Sequence, residues 1–289
     1  MNSWRNRLIT VALTTGLAVG CQMVTDQAIV LDPTFSRDAT EFRLQKPTWT
    51  IKDDAYHQNF GSFQINELDL SGKSMRQQQT GSDFVLGDAG DFMFQFLFHD
   101  VISLDPQWVN TYNVTGEQDF EFNVQMTAQS AVHSNCKMLY QGQAEETTDN
   151  SVNSYNWQTN TELMSFLGCV VTQNGEISEL IVERKHGSAP KFKLHKGKTK
   201  LRIEPVETAL YKTNERWTPT PMPMLEGQVF GYNFFIDNQQ VAAVTIDSQF
   251  PKIWILNKQE PAQQQWLVAV AYSIMMFNWQ DDWQRSPHS

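Results

Sequence analysis

The chain has 289 residues, 40 % of them hydrophobic, with 32 acidic against 22 basic side chains and a formal charge of −10. That length accommodates one large β domain or two modest ones. An acidic balance of this size excludes nucleic-acid binding through the overall field.

At the N-terminus, Arg5 and Arg7 precede an apolar segment, Leu8 to Gly20. It has the length of a secretory signal and falls short of the roughly 20 apolar residues that a membrane-spanning helix needs. The segment ends in "AVGC", Ala18 to Cys21, which resembles the lipobox of bacterial lipoproteins with the usual leucine one position back at Leu17. The resemblance implies cleavage of a signal peptide over residues 1–20, followed by acylation of Cys21. More than one acyl chain turns marginal membrane binding into stable anchoring. The competing reading is an incidental cysteine at the end of a plain signal or of a short uncleaved anchor. Gln22, in place of an aspartate, resembles the address of outer-membrane lipoproteins, so the expected location is the outer membrane, lipid-anchored at its periplasmic face. Removing Arg5 and Arg7 with the signal takes the charge from −10 to −12. Residues 21–45 read as a lipidated tether and residues 46–289 as a single β domain. With no second long apolar run, this body is expected to be soluble.

Beyond the tether, period-two alternation dominates. Thr48–Lys52 and Gly61–Leu68 are predicted strands. In "DFMFQFLFH", Phe92, Phe94, Phe96 and Phe98 share one face, a pattern of core packing. In "FEFNVQMT", Phe120, Phe122, Val124 and Met126 alternate with polar residues, as in a half-buried antiparallel strand. Strands follow at Ala131–Tyr140 and Tyr155–Leu163. Between them, "QGQAEETTDNSVN", Gln141 to Asn153, is acidic and lacks an apolar period, so it reads as an exposed loop. Asn174-Gly175 is a two-residue hairpin signal, because both positions tolerate positive φ. Cys136 and Cys169 are the two cysteines of the exported body. An even pair in such a chain is expected to form a disulfide, which contributes about 3–4 kcal/mol on a chain-entropy account. Two buried thiols are the alternative.

Glu183 to Arg202, "ERKHGSAPKFKLHKGKTKLR", concentrates eight Lys or Arg against one Glu. A hairpin turning at Lys196-Gly197 would pair Phe192 with Leu201 and Leu194 with Thr199 on the inner face. Outside, Lys191 would oppose Arg202, Lys193 oppose Lys200, and His195 oppose Lys198. Directly opposed like charges destabilise a strand pair. The bland explanations are charge balance in an acidic chain and protection of an edge strand. The functional one is an anionic partner held by Lys191, Lys193, His195, Lys198, Lys200 and Arg202.

Next, "ERWTPTPMPMLEG", Glu215 to Gly227, has three prolines in five residues and must be extended, as a long crossover within one fold. Strands follow at Gly227–Ile236, Gln239–Ile246 and Lys252–Leu256, for about a dozen in all. A helix is then predicted over about residues 261–278, with Pro261 in the first turn, where proline is accepted. From Trp266 to Phe277 it is apolar all round, the mark of a helix buried on every side. The fold class is therefore mainly β: an antiparallel barrel or sandwich of about a dozen strands with one buried C-terminal helix. On "GQVFGYNFFIDNQQVAAVTI", "KIWIL" and "QWLVAVAYSIMMF", the chain resembles the tubby-like superfamily, which includes phospholipid scramblases and LURP-one proteins. The resemblance implies a closed barrel that encloses its own final helix. A curved sandwich with the helix packed over one open side is the other architecture.

Sequence motifs for catalysis are missing: there is no G-x-S-x-G elbow, no H-E-x-x-H, no glycine-rich phosphate loop and no EF-hand loop. His99-Asp100 lies among core-type phenylalanines, and Asp53-Asp54 and Asp281-Asp282 read as solvated turns. No enzyme activity, cofactor or metal is expected. The expected function is an outer-membrane-anchored periplasmic lipoprotein acting as a non-catalytic binding or assembly-accessory module. Its partner would be an anionic lipid, a glycolipid, an acidic polysaccharide or an envelope protein. One alternative is a carrier that encloses an acyl chain or other apolar ligand. Another is an envelope hydrolase that brings His99 or His133 to a serine and a carboxylate.

Overall fold

The computed structural model describes residues 26–47, 56–71, 74–86, 106–126, 129–149, 154–185, 187–213, 215–219, 229–246 and 249–279. In chain order the first elements are β1 (Asp26–Ile29), α1 (Pro33–Asp38), β2 (Ala39–Arg43), β3 (His57–Phe60), β4 (Phe63–Leu70) and β5 (Ser74–Leu86). Three long strands follow, β6 (Pro106–Met126), β7 (Val132–Asp149) and β8 (Ser154–Gln173), then β9 (Glu176–Lys185), β10 (Lys191–His195) and β11 (Leu201–Val206). The remaining elements are β12 (Ala209–Thr213), β13 (Arg216–Pro219), β14 (Gly231–Ile236), β15 (Gln239–Thr245), β16 (Lys252–Leu256) and α2 (Pro261–Trp279). The predicted strands at Thr48–Lys52 and Phe92–Phe98, and the sites Cys21, Asp53-Asp54, His99 and Asp281-Asp282, lie outside the described residues.

Every ladder is antiparallel. One sheet runs β10-β9-β8-β7-β6-β4-β3, with β5 also on β6; a second runs β11-β14-β15-β16-β2; a third is β1-β12-β13. Alternation does what the sequence implies: on β7, Val132, Ser134, Cys136, Met138 and Tyr140 are buried and the intervening residues are exposed. Asn174 (φ 51°) and Gly175 (φ 82°) form the β8–β9 turn. Cys136 and Cys169 are direct cross-strand partners, 4.1 Å apart at Cα, and are joined as a disulfide inside the core. The acidic segment after Tyr140 is not a loop. It continues β7 to Asp149 and pairs with β8 from Ser154. Its inward positions are Gly142 and Ala144, both buried, so the alternation is real but carried by side chains too small to register as apolar.

The helix α2 lies between the two larger sheets, against β6, β7 and β8 on one side and β15 and β16 on the other. All residues from Gln265 to Trp279 are buried. A helix enclosed in this way needs apolar side chains on every face, and each fully buried Val, Leu, Ile or Met contributes about 1.5–3 kcal/mol. Its few polar groups bond to the sheets. The Gln265 amide donates to the carbonyls of Val124 (2.6 Å) and Ser130 (2.8 Å), and the Trp266 indole N–H donates to Ser178 Oγ (2.8 Å). Further along, the Trp279 indole donates to the Ile246 carbonyl (3.1 Å).

The sheets do not close into a barrel. β10 pairs with β9 and β11 with β14, so the expected basic hairpin does not form, and at this seam the backbone link among the described residues is the isolated Lys196–Thr199 bridge. At the opposite seam, Phe42 of β2 meets Phe63 (5.3 Å) and Phe60 (6.0 Å) edge to face without a ladder. The like-charge argument explains the difference. On β9, Lys191 faces Glu183, Lys193 faces Ile181 and His195 faces Glu179, so none of the three meets another basic residue as it would in the hairpin.

The stretch read as a tether is folded from Asp26 onward. β1 pairs with β12, β2 pairs with β16, and α1 is capped by the Asp32 carboxylate, which accepts from the Thr34 and Phe35 amides. Ile29, Phe35, Val206, Ala209 and Phe230 form an apolar layer over the far face of the second sheet, against Ala243, Trp254 and Leu256. That sheet is covered on both faces, which is why β15 and β16 are continuous apolar runs rather than alternating ones. The layer comes close enough at Gly231 that a Cβ there would sit 2.1 Å from the Val244 carbonyl oxygen and 3.0 Å from Ile29. Gly231→Ala is therefore expected to destabilise the protein by about 1–3 kcal/mol. Gly168→Ala, with nothing within 4 Å of its Cβ, is expected to change stability by less than about 0.5 kcal/mol. Denaturant titration of both variants checks the contrast.

Candidate functional site

β10 is the edge of the large sheet, and its alternation sorts the basic segment. Phe192 and Leu194 turn inward onto the core, Phe192 meeting the Tyr232 ring at 5.0 Å, while Lys191, Lys193 and His195 are exposed. The turn that follows carries Gly197 at φ 51° and closes with the Thr199 amide donating to the Lys196 carbonyl (2.9 Å). Lys198 and Lys200 are exposed on this turn, and Arg202 is exposed at the start of β11.

The basic residues are not equivalent. Lys196 is half-buried, with its ammonium 4.1 Å above the Trp266 ring; burial pushes its pKa down, and Glu176 only partly offsets this. Arg202 pairs with Glu204 and stacks over Phe235 at 4.4 Å. Lys185 is paired with Glu183. Among the described residues, Lys191, Lys193, Lys198 and Lys200 have no carboxylate within 4 Å. Of the residues expected to bind an anion, these four and His195 are brought to one edge and one turn, whereas Arg202 is already engaged.

Two open clefts flank the turn. One, about 370 Å³, is lined by Gln173, Glu176, Lys196, Glu260 and Trp266. The other, about 470 Å³, is lined by Lys198, Lys200, Asp237, Gln239 and Gln259. Beside them the outer face of the large sheet mixes exposed aliphatic with charged positions. In register, Lys193 is followed across the sheet by Ile181, Gly168 and Lys137, and His195 by Glu179, Val170 and Asn135. Ile181, Val170 and Leu139 are exposed on this face, as is Ile177, which is 61 % exposed. Lys193, with no carboxylate within 4 Å among the described residues, thus borders exposed aliphatic side chains.

His133 does not assemble a hydrolytic group. Its Nδ1 is 2.9 Å from Asn123 Oδ1 and its Nε2 is 3.9 Å from Glu121, all on the outer face, while Ser134 points the opposite way, to Ser273 Oγ at 3.0 Å.

A second charged cluster was not legible from spacing. Lys252, only 1 % exposed, places Nζ 2.7 Å from Asp26 Oδ1 and 3.7 Å from Glu41, with the Trp217 and Trp254 rings at 5.5 and 5.9 Å. The other Asp26 oxygen accepts from Arg43 at 2.7 Å. Lys252 and Arg43 are cross-strand partners, and the carboxylate of Asp26 from β1, together with Glu41 of β2, balances this cation pair between β16 and β2. The one sequence signal was a lysine heading the otherwise apolar "KIWIL". Burial alone would raise the Asp26 pKa, but Lys252, the Gln27 amide and Arg43 together hold it below the usual 3.8. A depressed folded-state value means that this contribution is complete above that pH and is lost as pH falls through the lower, folded value. Melting temperature should fall on acidification through this range, and Asp26→Asn should melt lower at neutral pH with a shallower acid slope. An unchanged slope would remove Asp26 from the account.

Compared with models of known protein families, with curated proteins and with solved structures, the chain matches none.

Proposed function

We propose that this protein is an outer-membrane lipoprotein, anchored through Cys21 at the periplasmic face, that binds an anionic amphiphile without catalysis. The observation that carries this reading is Lys193, without an ion pair among the described residues and in register with the exposed Ile181, on the face that also exposes Ile177, Val170 and Leu139, while Lys191, Lys198 and Lys200 extend the unpaired positive charge along the same edge and turn. Charge balance alone accounts for lysines beside Glu179 or Glu183. It does not account for aliphatic side chains left in solvent beside them. A phosphate-bearing lipid or glycolipid supplies both complements, negative head and apolar body. The tubby-like resemblance, which includes phospholipid scramblases, adds weight only through the placement of the helix between sheets, since a closed barrel is not formed.

The anchor is tested by metabolic labelling: palmitate should enter the wild-type chain and not Cys21→Ser. Equal labelling of both would remove the anchor. The surface is tested on the soluble chain from residue 22, by retention on vesicles containing anionic lipid or outer-membrane glycolipid across a salt series. Each lysine near such a surface contributes about 1 kcal/mol, so Lys193→Gln with Lys200→Gln should weaken retention roughly 30-fold and flatten its salt dependence. Retention unchanged by the double substitution would place lipid contact on another surface. No retention even at low salt would leave a protein or polysaccharide partner.

A further inference from the structure

Among the described residues, the strand β5 has one neighbouring strand. Along one side of β6, β4 pairs with residues 120–126 and β5 with residues 106–117, while β7 occupies the other side. Thirteen residues of β5 therefore present a second edge with no strand on it among the described residues. Natural sheets protect such edges with charged residues, above all lysine, with proline, with β-bulges or with covering segments. β5, "SMRQQQTGSDFVL", has neither lysine nor proline.

Its charges are arranged with a symmetry of their own. The described part of the strand carries one cation, Arg76, and one anion, Asp83, both exposed and neither in an ion pair among the described residues. Arg76 lies three residues before Gln79 and Asp83 three after Thr80. In a regular strand, residues seven apart point to opposite faces. Here they do not, because Thr80 is an extra residue: Gln79 faces Tyr112 and Gly81 faces Thr111, with Thr80 bulged between them and its hydroxyl donating to the Thr111 carbonyl (3.2 Å). As a result Arg76 stands opposite Thr115 and Asp83 opposite Val109, six residues apart on β6 and so on the same face.

We propose that β5 is a self-recognition edge, on which a second copy of this chain adds its own β5 antiparallel about a twofold axis at Gln79, beside the bulged Thr80. An interface of this kind is isologous, so every contact occurs twice. Arg76 then faces Asp83 of the second copy, and Asp83 faces Arg76 of the second copy, on one side of a continuous sheet. Gln77 meets Ser82, and Gln78 meets Gly81, whose missing side chain leaves room for the glutamine. The two bulges lie side by side at the axis, where they add local twist to both strands in the same sense. The occupant is a second copy rather than an unrelated strand because the charge pattern is complementary to its own reverse. This inference does not depend on the lysine surface, which lies at the other end of the sheet order, on β10.

Sedimentation equilibrium of the full acylated chain in detergent should show a monomer–dimer equilibrium. Arg76→Asp and Asp83→Arg alone each set like charges opposite one another twice, and each should weaken the dimer about tenfold. The double variant Arg76→Asp/Asp83→Arg should restore wild-type dimerisation. As a second readout, Thr80→Cys, beside the axis, should cross-link chain to chain with a short bis-maleimide, and adding Arg76→Asp should suppress that cross-link. A wild-type chain that stays monomeric, single variants that dimerise as well as wild type, a double variant no better than the singles, or a Thr80→Cys chain that does not cross-link would each overturn the proposal.

Discussion

The structure depends on enclosing one helix that has no polar face. In water α2 would expose aromatic and aliphatic side chains around its whole circumference, and neither large sheet alone covers more than one side of it. Both sheets must therefore be present for either to have a complete core. The same requirement shapes their chemistry: inward positions of β6 to β9 are mostly apolar or small, and β14 to β16 carry apolar residues on both faces because a further layer covers their outer face. The disulfide between Cys136 and Cys169 lies on the inner face of this arrangement, beside Ser273 of α2. An oxidised sulfur cannot donate, and of the two neighbouring hydroxyls Ser273 donates to the Ala269 carbonyl at 2.9 Å while Ser134 lies 3.4 Å from Cys136 Sγ.

An all-round apolar helix has no intrinsic preference for one rotation about its axis. Polar side chains supply it. Gln265 fixes the first turn to the end of β6, Trp266 to β9, and Asn278 with Trp279 to the second sheet through Tyr232 and the Ile246 carbonyl. Tyr272, at the centre, has a buried hydroxyl without a hydrogen bond of good geometry, and burial pushes its pKa well above the usual value. Its ring is nonetheless held edge-on between Phe122 and Trp279, at 4.9 and 6.0 Å. Aromatic packing outweighs the cost of one poorly satisfied oxygen at that point.

Local signals in the sequence survived into the structure wherever the decisive interaction was local. The helix, the Asn174-Gly175 turn, strand Lys252–Leu256 and the cysteine pair all depend on near neighbours or on a strong period. What failed was partner choice. Lys196-Gly197 is a turn as read, but the strands on either side of it belong to different sheets, a fact determined by Glu179 and Glu183 on β9 and by β14, not by the turn. The acidic segment hid its alternation behind Gly142 and Ala144. The Asp26, Lys252, Arg43 and Glu41 cluster gathers residues more than 200 positions apart, and nothing in their local spacing announces it. Composition singles out the six basic residues as a group, yet only the structure distinguishes the lysines without an ion pair among the described residues from Arg202, which is paired within its own strand.

The position of α2 in the chain has a consequence for biogenesis. Every strand that surrounds the helix is synthesised before it. While the chain emerges in order, the inner faces of β6 to β9 and β14 to β16 must wait, complete but uncovered, for the segment that fills the space between them. Most of the contacts that complete the core join residues far apart in sequence, the kind that form slowly. The growing chain therefore passes through a stage in which large apolar sheet faces are open to water, to one another and to other chains. A chaperone that shields those faces until Pro261–Trp279 arrives would act on the one interval in which this protein has its strands and lacks its centre.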